Sequence, residues 1–377
     1  MIKVGVDARL LSRPITGIGR YTLEMCRALS KLPNISLYLY SPSPIPYSAL
    51  KGWQVEKIRF QNWNNGLLRQ IWSETLLPFW VKKDDIDVFW GPAHRMPHWL
   101  PRNVARVVTI QDLVWKYAPE TMRPLSRVLE RYQMPFAVST SDAVVAISKA
   151  TAEAVKKEFG INSNKLSVIT LGATIPQDLL NTDLLGALDA DQPYFLFVGT
   201  LEPRKNLSRL LTAYSQLPDS IKDQAMLVIA GGKGWGDINI TEKMTSLNLL
   251  NHVKLLGYVD EPTLSALYSN TQFLAMPSLY EGFGLPLVEA MSYGAPVLTA
   301  NNSSMPEVAG NAGLLVDALD VQSIADGLKE MITNNELRER LAKNAKLNAS
   351  RFSWDESAIK LIKVFEKAIE IRQNKIS

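Results

Sequence analysis

Short apolar runs alternate with helically spaced segments along this chain, and after one polar break the alternation begins again. Lys3–Asp7, Ser36–Tyr40, Asp87–Trp90, Arg106–Ile110 and Ala143–Ile147 are short, apolar and bounded by turn residues, and Tyr21–Leu32 has helical spacing through Leu23, Cys26 and Leu29. Such runs, separated by helices, predict a parallel sheet covered on both faces. Thr174–Pro193 is polar and acidic without a clean period and reads as a linker. Beyond it, Tyr194–Val198, Met226–Ala230, Val253–Leu256, Phe273–Met276 and Pro296–Thr299 read as strands, and Leu207–Leu217, Pro262–Ser269 and Leu285–Tyr293 as helices. The expected class is α/β, with two doubly wound domains over 1–175 and 176–355. An amphipathic tail over 356–377 follows, its apolar positions being Ala358, Leu361, Ile362, Phe365 and Ile369. A length of 377 residues suits that domain count.

The two halves differ in charge. Residues 1–175 carry 23 Lys and Arg against 13 Asp and Glu, and the remainder carries 18 against 24. A basic half joined to an acidic half points to modules with different partners; an anionic lipid surface, nucleic acid or a phosphorylated substrate suits the first. The single cysteine, Cys26, excludes a disulfide framework and a cysteine-cluster metal site. The start, MIKVGVDARLL, lacks the apolar stretch of a signal peptide, and no run reaches the ~18–20 apolar residues that span a bilayer. The expected location is the cytoplasm, or the inner face of a membrane as a peripheral protein.

Doubly wound sheets bind ligands beyond the carboxyl ends of their strands, so the chemistry belongs in the loops that follow strands, in a cleft between the two domains. Thr16–Tyr21 (TGIGRY) opens the first helix, where Gly17 and Gly19 let amides approach an anion; a plain turn is the competing reading. No acidic residue ends the second strand, which weighs against nicotinamide. After the first strand of the second half, Arg204 and Lys205 precede a helix and suit a diphosphate, Arg as a fork and Lys as a point charge. In Pro277–Glu289 (PSLYEGFGLPLVE), Glu281 lies in a glycine-flanked turn and Glu289 about one turn into the helix behind it. Gly282 and Gly284 offer amides to phosphate oxygens, and carboxylates accept from paired sugar hydroxyls. That combination suits a nucleotide sugar better than a capping Glu and a solvated Glu.

Two D-x-D pairs, Asp85–Asp87 and Asp189–Asp191, have metal-compatible spacing, but one precedes a strand and the other falls in the linker. His94, His98 and His252 lack ligand spacing, so no metal is expected. No nucleophile elbow or Walker A loop is present. Seven of nine tryptophans fall between Trp53 and Trp115. Within that region Leu67–Val81 reads as one aromatic amphipathic helix beside Arg69, Lys82 and Lys83, packing into a core or lying on a membrane.

The glycine loop, the Arg204-Lys205-Asn206 segment, the Glu281/Glu289 stretch and the following Pro306-Glu-Val-Ala-Gly together resemble glycosyltransferase family four, the retaining GT-B enzymes, over nearly the whole chain. The resemblance implies two Rossmann-like domains facing each other across a cleft, with the acceptor on the N-terminal side and the nucleotide-sugar donor on the C-terminal side. It further implies metal-independent, front-face transfer and a last helix crossing back to the N-terminal domain. By the same resemblance Arg204 and Lys205 hold the donor diphosphate. Glu281 contacts the donor sugar, with the amides of Gly282, Phe283, Gly284 and Leu285 nearby. Glu289 binds the ribose, Tyr258 and Val259 border the base, and Gly17 and Gly19 close over the diphosphate. Where the family commonly has His-Asp, this chain has Gln111-Asp112. An amide donates to a sugar hydroxyl but takes up no proton near neutral pH.

The expected activity is transfer of a hexose, mannose from GDP-mannose as the favoured case, to a lipid-linked or polysaccharide acceptor, in surface-polysaccharide assembly. Glu281, Gln111, Arg204 and Lys205 would form the catalytic set, with no cofactor and no nucleic-acid partner. The alternatives are a GT-B-fold epimerase or phosphorylase, or a nucleotide-sugar-binding protein whose activity lapsed with Gln111.

Overall fold

The computed structural model describes residues 1–13, 15, 17–63, 65–173, 192–236 and 239–376. Thr16, most of the linker read over Thr174–Pro193, and the Asp189–Asp191 pair lie outside them. The chain divides into two compact units: Met1–Trp115, Pro124–Gly172 and Ser353–Ser377 form one, Lys116–Arg123 and Ala173–Phe352 the other.

The first unit is built on strands β1 (Ile2–Asp7), β2 (Ile35–Ser41), β3 (Lys57–Phe60), β4 (Val88–Gly91), β5 (Ala105–Ile110), β6 (Ala143–Ala146) and β7 (Leu166–Val168). They form a parallel sheet in the order β3-β2-β1-β4-β5-β6-β7. Register places Val4 opposite Leu37 and Val88 on one face and Gly5 opposite Tyr38 and Phe89 on the other, so the centre of the sheet is apolar on both faces, as helix-covered parallel strands require. Trp90 anchors the core, its ring 6.0 Å from that of Tyr21 and 6.1 Å from that of Phe365, with its indole N–H donating to Thr109 Oγ1 at 3.0 Å. Phe365 belongs to the helix Trp354–Asn374, capped by Ser353, whose hydroxyl accepts from the Glu356 amide. Ala358, Leu361, Ile362, Val364, Phe365 and Ala368 of that helix are buried. Arg372 and Lys375 close its end on Asp142, at 2.6 and 2.9 Å.

The second unit has β8 (Tyr194–Val198), β9 (Met226–Ala230), β10 (Val253–Gly257), β11 (Leu274–Met276), β12 (Val297–Ala300) and β13 (Gly313–Val316), parallel in the order β10-β9-β8-β11-β12-β13. Phe195 stacks on Phe273 at 5.0 Å and meets Tyr214 edge-on at 5.2 Å in its core.

Several elements differ from the sequence reading. Strands β3, β7 and β13 were not expected. Leu67–Val81 is two helices, Gly66–Glu74 and Leu76–Lys83, because Thr75 leaves helical geometry and Pro78 supplies no amide to bridge the junction. Trp72 and Trp80 of this run are core residues, whereas Leu67 and Phe79 are exposed. Lys116–Arg123 groups with the second unit, although 1–175 was read as one domain. No helix among the described residues is long and apolar enough to cross a membrane.

Candidate active site

In the second sheet the strand order reverses between β8 and β11, the switch point beyond whose carboxyl ends doubly wound sheets bind ligands. The β8 loop runs through Gly199 into a short turn, Pro203–Lys205, and then the helix Leu207–Ser215; the β11 loop runs through Pro277–Gly284 into the helix Leu285–Ser292. Asn206 fastens the two loops together. Its backbone sits in the left-handed region (φ 62°), and its side-chain amide donates to the carbonyls of Pro277 (2.8 Å) and Ala318 (2.7 Å).

That clamp brings three predicted residues together. Arg204 Nη1 donates to Glu281 Oε2 at 2.5 Å and to the Tyr280 carbonyl at 2.9 Å, and Lys205 Nζ donates to Glu281 Oε1 at 2.6 Å. All three side chains are at most 17% exposed. Burial pushes the Glu281 carboxyl up, but Arg204 and Lys205 outweigh it and hold the pKa down at about 2. Burial lowers Lys205, with Arg204 adding to the effect and Glu281 opposing it. Glu202 Oε2 stands 3.9 Å from Arg204 Nη2 as a second carboxylate, so what the cluster offers an incoming anion is the unused donors of Arg204 and Lys205. The Glu281 amide donates to Ser303 Oγ at 3.1 Å, and Ser304 Oγ donates to the carbonyls of Glu281 and Phe283, both at 2.9 Å. Ser303 and Ser304 were not singled out from the sequence, and Asn206 was named there only as part of a motif, without this clamping role.

Gly284 (φ 97°) precedes the helix Leu285–Ser292, which has no side-chain N-cap; Pro286 has no amide hydrogen and the Leu287 amide donates to the Gly284 carbonyl at 3.0 Å, so the Leu285 amide is the first-turn donor left for a ligand. Gly282 and Phe283 are buried in this turn. Glu289 lies one turn further on, buried, and accepts from the Tyr268 hydroxyl at 2.9 Å. Tyr258 and Val259 follow Gly257 (φ 70°) at the end of β10, with Tyr258 81% exposed. Gly17, Gly19 and Gln111 belong to the first unit. Gly17 opens the helix Gly17–Ser30 and a Cβ there would meet nothing; Gly19 is buried in its first turn. Gln111 is buried, with its side-chain amide on the Pro92 carbonyl (2.9 Å) and its backbone amide on His94 Nε2 (2.7 Å). Asp85 and Asp87 stand at the amino end of β4, against Lys3, away from the ligand side of the sheet. His94, Asp112 and Glu130, which sequence spacing did not group, present ligand-capable atoms within 4.8 Å of one another. The Gln111 amide on His94 Nε2 puts the proton on Nδ1, so Nδ1 turns a hydrogen rather than a lone pair toward Glu130.

Residues 15–174 match the family described as Glycosyltransferase Family 4, and residues 186–348 the one described as Glycosyl transferases group 1. The chain is 30% identical to O-antigen chain mannosyltransferase B of Escherichia coli over 382 aligned residues, covering 94% of this chain and 96% of that protein. The chain belongs to glycosyltransferase family four. The transferase shares its fold with sucrose-phosphate synthase from Thermosynechococcus elongatus, at a TM-score of 0.77 and 20% identity over 97% of this chain and 99% of that one. It likewise matches Anabaena HepE, solved in complex with UDP and glucose, at 0.74 and 19% with the same coverage. These likenesses show a GT-B fold, an α/β architecture with two parallel sheets.

Proposed function

We propose that this glycosyltransferase moves a hexose from a nucleotide sugar to a lipid-linked or polysaccharide acceptor with retained anomeric configuration, and that mannose from GDP-mannose is the natural donor. The buried Glu281 shared by Arg204 and Lys205 at the strand-order reversal carries the reading. A donor diphosphate draws on the remaining donors of Arg204 and Lys205 and on the Leu285 amide, and these offset the charge that develops on the leaving phosphate. With two fixed cations there, the leaving group is stabilised without a divalent ion. Glu281, freed in part from its cations, faces the sugar, and Glu289 the ribose. Retention follows when the leaving phosphate takes the acceptor's proton, a role that asks nothing of Gln111 beyond position. Mannose is supported by the O-antigen mannosyltransferase, and the net basic character of residues 1–175 supports an acceptor carried on anionic lipid.

Thermal shift with GDP, UDP and ADP, without added metal, tests the donor. A ligand at a hundredfold excess over Kd stabilises by about 2.7 kcal/mol. A rise with GDP, followed by GDP release from GDP-mannose and an α-linked product by NMR, is expected. A rise with UDP alone would overturn the mannose assignment, and no rise with any of them would overturn the donor site.

A further inference from the structure

One helix of the first unit turns its apolar side outward. Pro124–Thr140 runs back toward the amino end of β6, and its buried residues, Met134, Ala137 and Val138, all belong to its second half. Leu125, Val128, Leu129 and Tyr132 have the i, i+3, i+4 and i+7 spacing of one helix face, yet they are exposed, Leu125 and Tyr132 to 73% each. The stripe continues to Phe136, whose ring stacks on His98 at 3.9 Å, and the residue after His98, Trp99, is 75% exposed. A surface helix ordinarily presents such a stripe to the core, so an outward one marks a contact that the unit does not itself supply. Arg123, Arg127 and Arg131 follow at four-residue steps along one flank. All three are exposed, and none makes a hydrogen bond or ion pair among the described residues. Glu130 is the only acidic residue between Met122 and Thr140, and it points inward, its Oε2 buried 4.0 Å from His94 Nδ1.

An exposed apolar stripe flanked by cations alone fits a surface that is apolar inside and negative at its boundary. A second copy of the chain does not supply it, because the same face would bring more arginine and no acid. Tyr132 and Trp99 add rings with a polar edge, which settle at a lipid–water boundary. Leu67–Val81, the segment that the sequence offers to a membrane, is less suited, since its Trp72 and Trp80 are core residues. Position agrees. The first half of Pro124–Thr140 lies toward the carboxyl, ligand-binding end of the parallel sheet, whereas Lys82 and Lys83, just ahead of β4, stand at its amino end. We propose that this helix docks on an anionic lipid surface, with Leu125, Val128, Leu129 and Tyr132 among the upper acyl chains and Arg123, Arg127 and Arg131 on lipid phosphates. The proposal rests on the lipid-linked acceptor of the proposed function for its purpose, on this helix alone for the contact, and not at all on the identity of the donor.

The full chain is sedimented with vesicles of phosphatidylcholine, with and without phosphatidylglycerol, at low and high salt. Beside it run the double variants Leu125→Ser with Tyr132→Ser, Arg127→Gln with Arg131→Gln and, as a control at the other end of the sheet, Lys82→Gln with Lys83→Gln. The parent should bind the phosphatidylglycerol vesicles, less so as salt rises. Either helix variant should bind about tenfold more weakly, and the lysine variant like the parent. All should share the parent's Tm and its thermal response to GDP, because every replaced side chain is exposed. No binding by the parent overturns the proposal, as does equal binding by parent and helix variants, or a loss confined to the lysine variant. Self-association of the parent that the Leu125 and Tyr132 changes abolish, without vesicle binding, overturns it in favour of a contact between copies. Arginine-dependent binding to poly-glutamate and not to vesicles overturns it in favour of an acidic protein partner. Vesicle binding as expected, but without a GDP response or without transfer to a lipid-linked saccharide, supports the contact and defeats the donor or the acceptor reading respectively.

Discussion

Glu281 has two cations and no room to lose its charge. Replacing it with glutamine leaves Glu202, 3.9 Å from Arg204, as the remaining counter-charge for Arg204 and Lys205, so the cost stays below the figure of about 3–5 kcal/mol for a fully orphaned buried charge. It also removes the group that the proposed reaction sets against the donor sugar. We expect Glu281→Gln to lower kcat about a hundredfold or more in a GDP-release assay. The pH dependence has a definite sign. The folded pKa of about 2 lies below the ordinary 4.5, so the carboxylate's contribution is complete above about 4.5 and is lost as pH falls toward 2. Acid melts of the parent chain should therefore steepen in that window, and melts of Glu281→Gln should lack this component. Residue chemistry of this kind was legible where the chain spells it locally: Arg204, Lys205 and Glu281 stand in recognisable turns after strands. Ser303, Ser304 and Tyr268 were not legible, because a lone hydroxyl gains meaning only from the distant carbonyl or carboxylate it meets. The approach of Glu130 to His94 was hidden for the same reason, since the helix carrying Glu130 reaches His94 across the end of the sheet.

At the scale of elements, the strands that sequence missed are all edges. β3, β7 and β13 each have a single neighbour; β3 (KIRF, three of four residues exposed) and β7 (LSV) lack the continuous apolar run that betrays a central strand, whereas β13 (GLLV) carries a short one that the sequence reading left out. The central strands were legible because burial on both faces demands apolar residues at every position. Leu67–Val81 misled in the opposite way, its apolar spacing carrying across a break that Thr75 and Pro78 impose. The turn into the helix Leu285–Ser292 has a sharper requirement. Gly284 sits at φ 97°, and a Cβ there would come within 2.5 Å of Met305 Cε. The left-handed backbone opposes any side chain, and Met305 Cε would have to turn aside, so Gly284→Ala should cost about 1–3 kcal/mol, read as a lowered Tm. It should also weaken the thermal response to GDP, because the Leu285 amide would shift from the Glu281 loop.

At the scale of the molecule, the first unit is discontinuous. Its core contains Trp354, Ala358, Leu361 and Phe365 from the last helix, packed on Tyr21 and Trp90 of the opening segments. A chain ending at Phe352 would leave that surface open while leaving the second sheet complete. Limited proteolysis of such a truncation should cut rapidly within residues 1–172 and spare the region from Tyr194 to Phe352. Equal resistance in both regions would show that the helix is not needed for the core. The two-unit α/β organisation was legible because strand–helix alternation is written twice.

The same discontinuity sets an order of events at the ribosome. The half made first cannot finish folding until the last helix has emerged, so the second unit is completed while the first still lacks part of its core. During that interval Tyr21 and Trp90 lack their final covering, and the nascent protein is most exposed to mispairing or to capture by chaperones late in its synthesis.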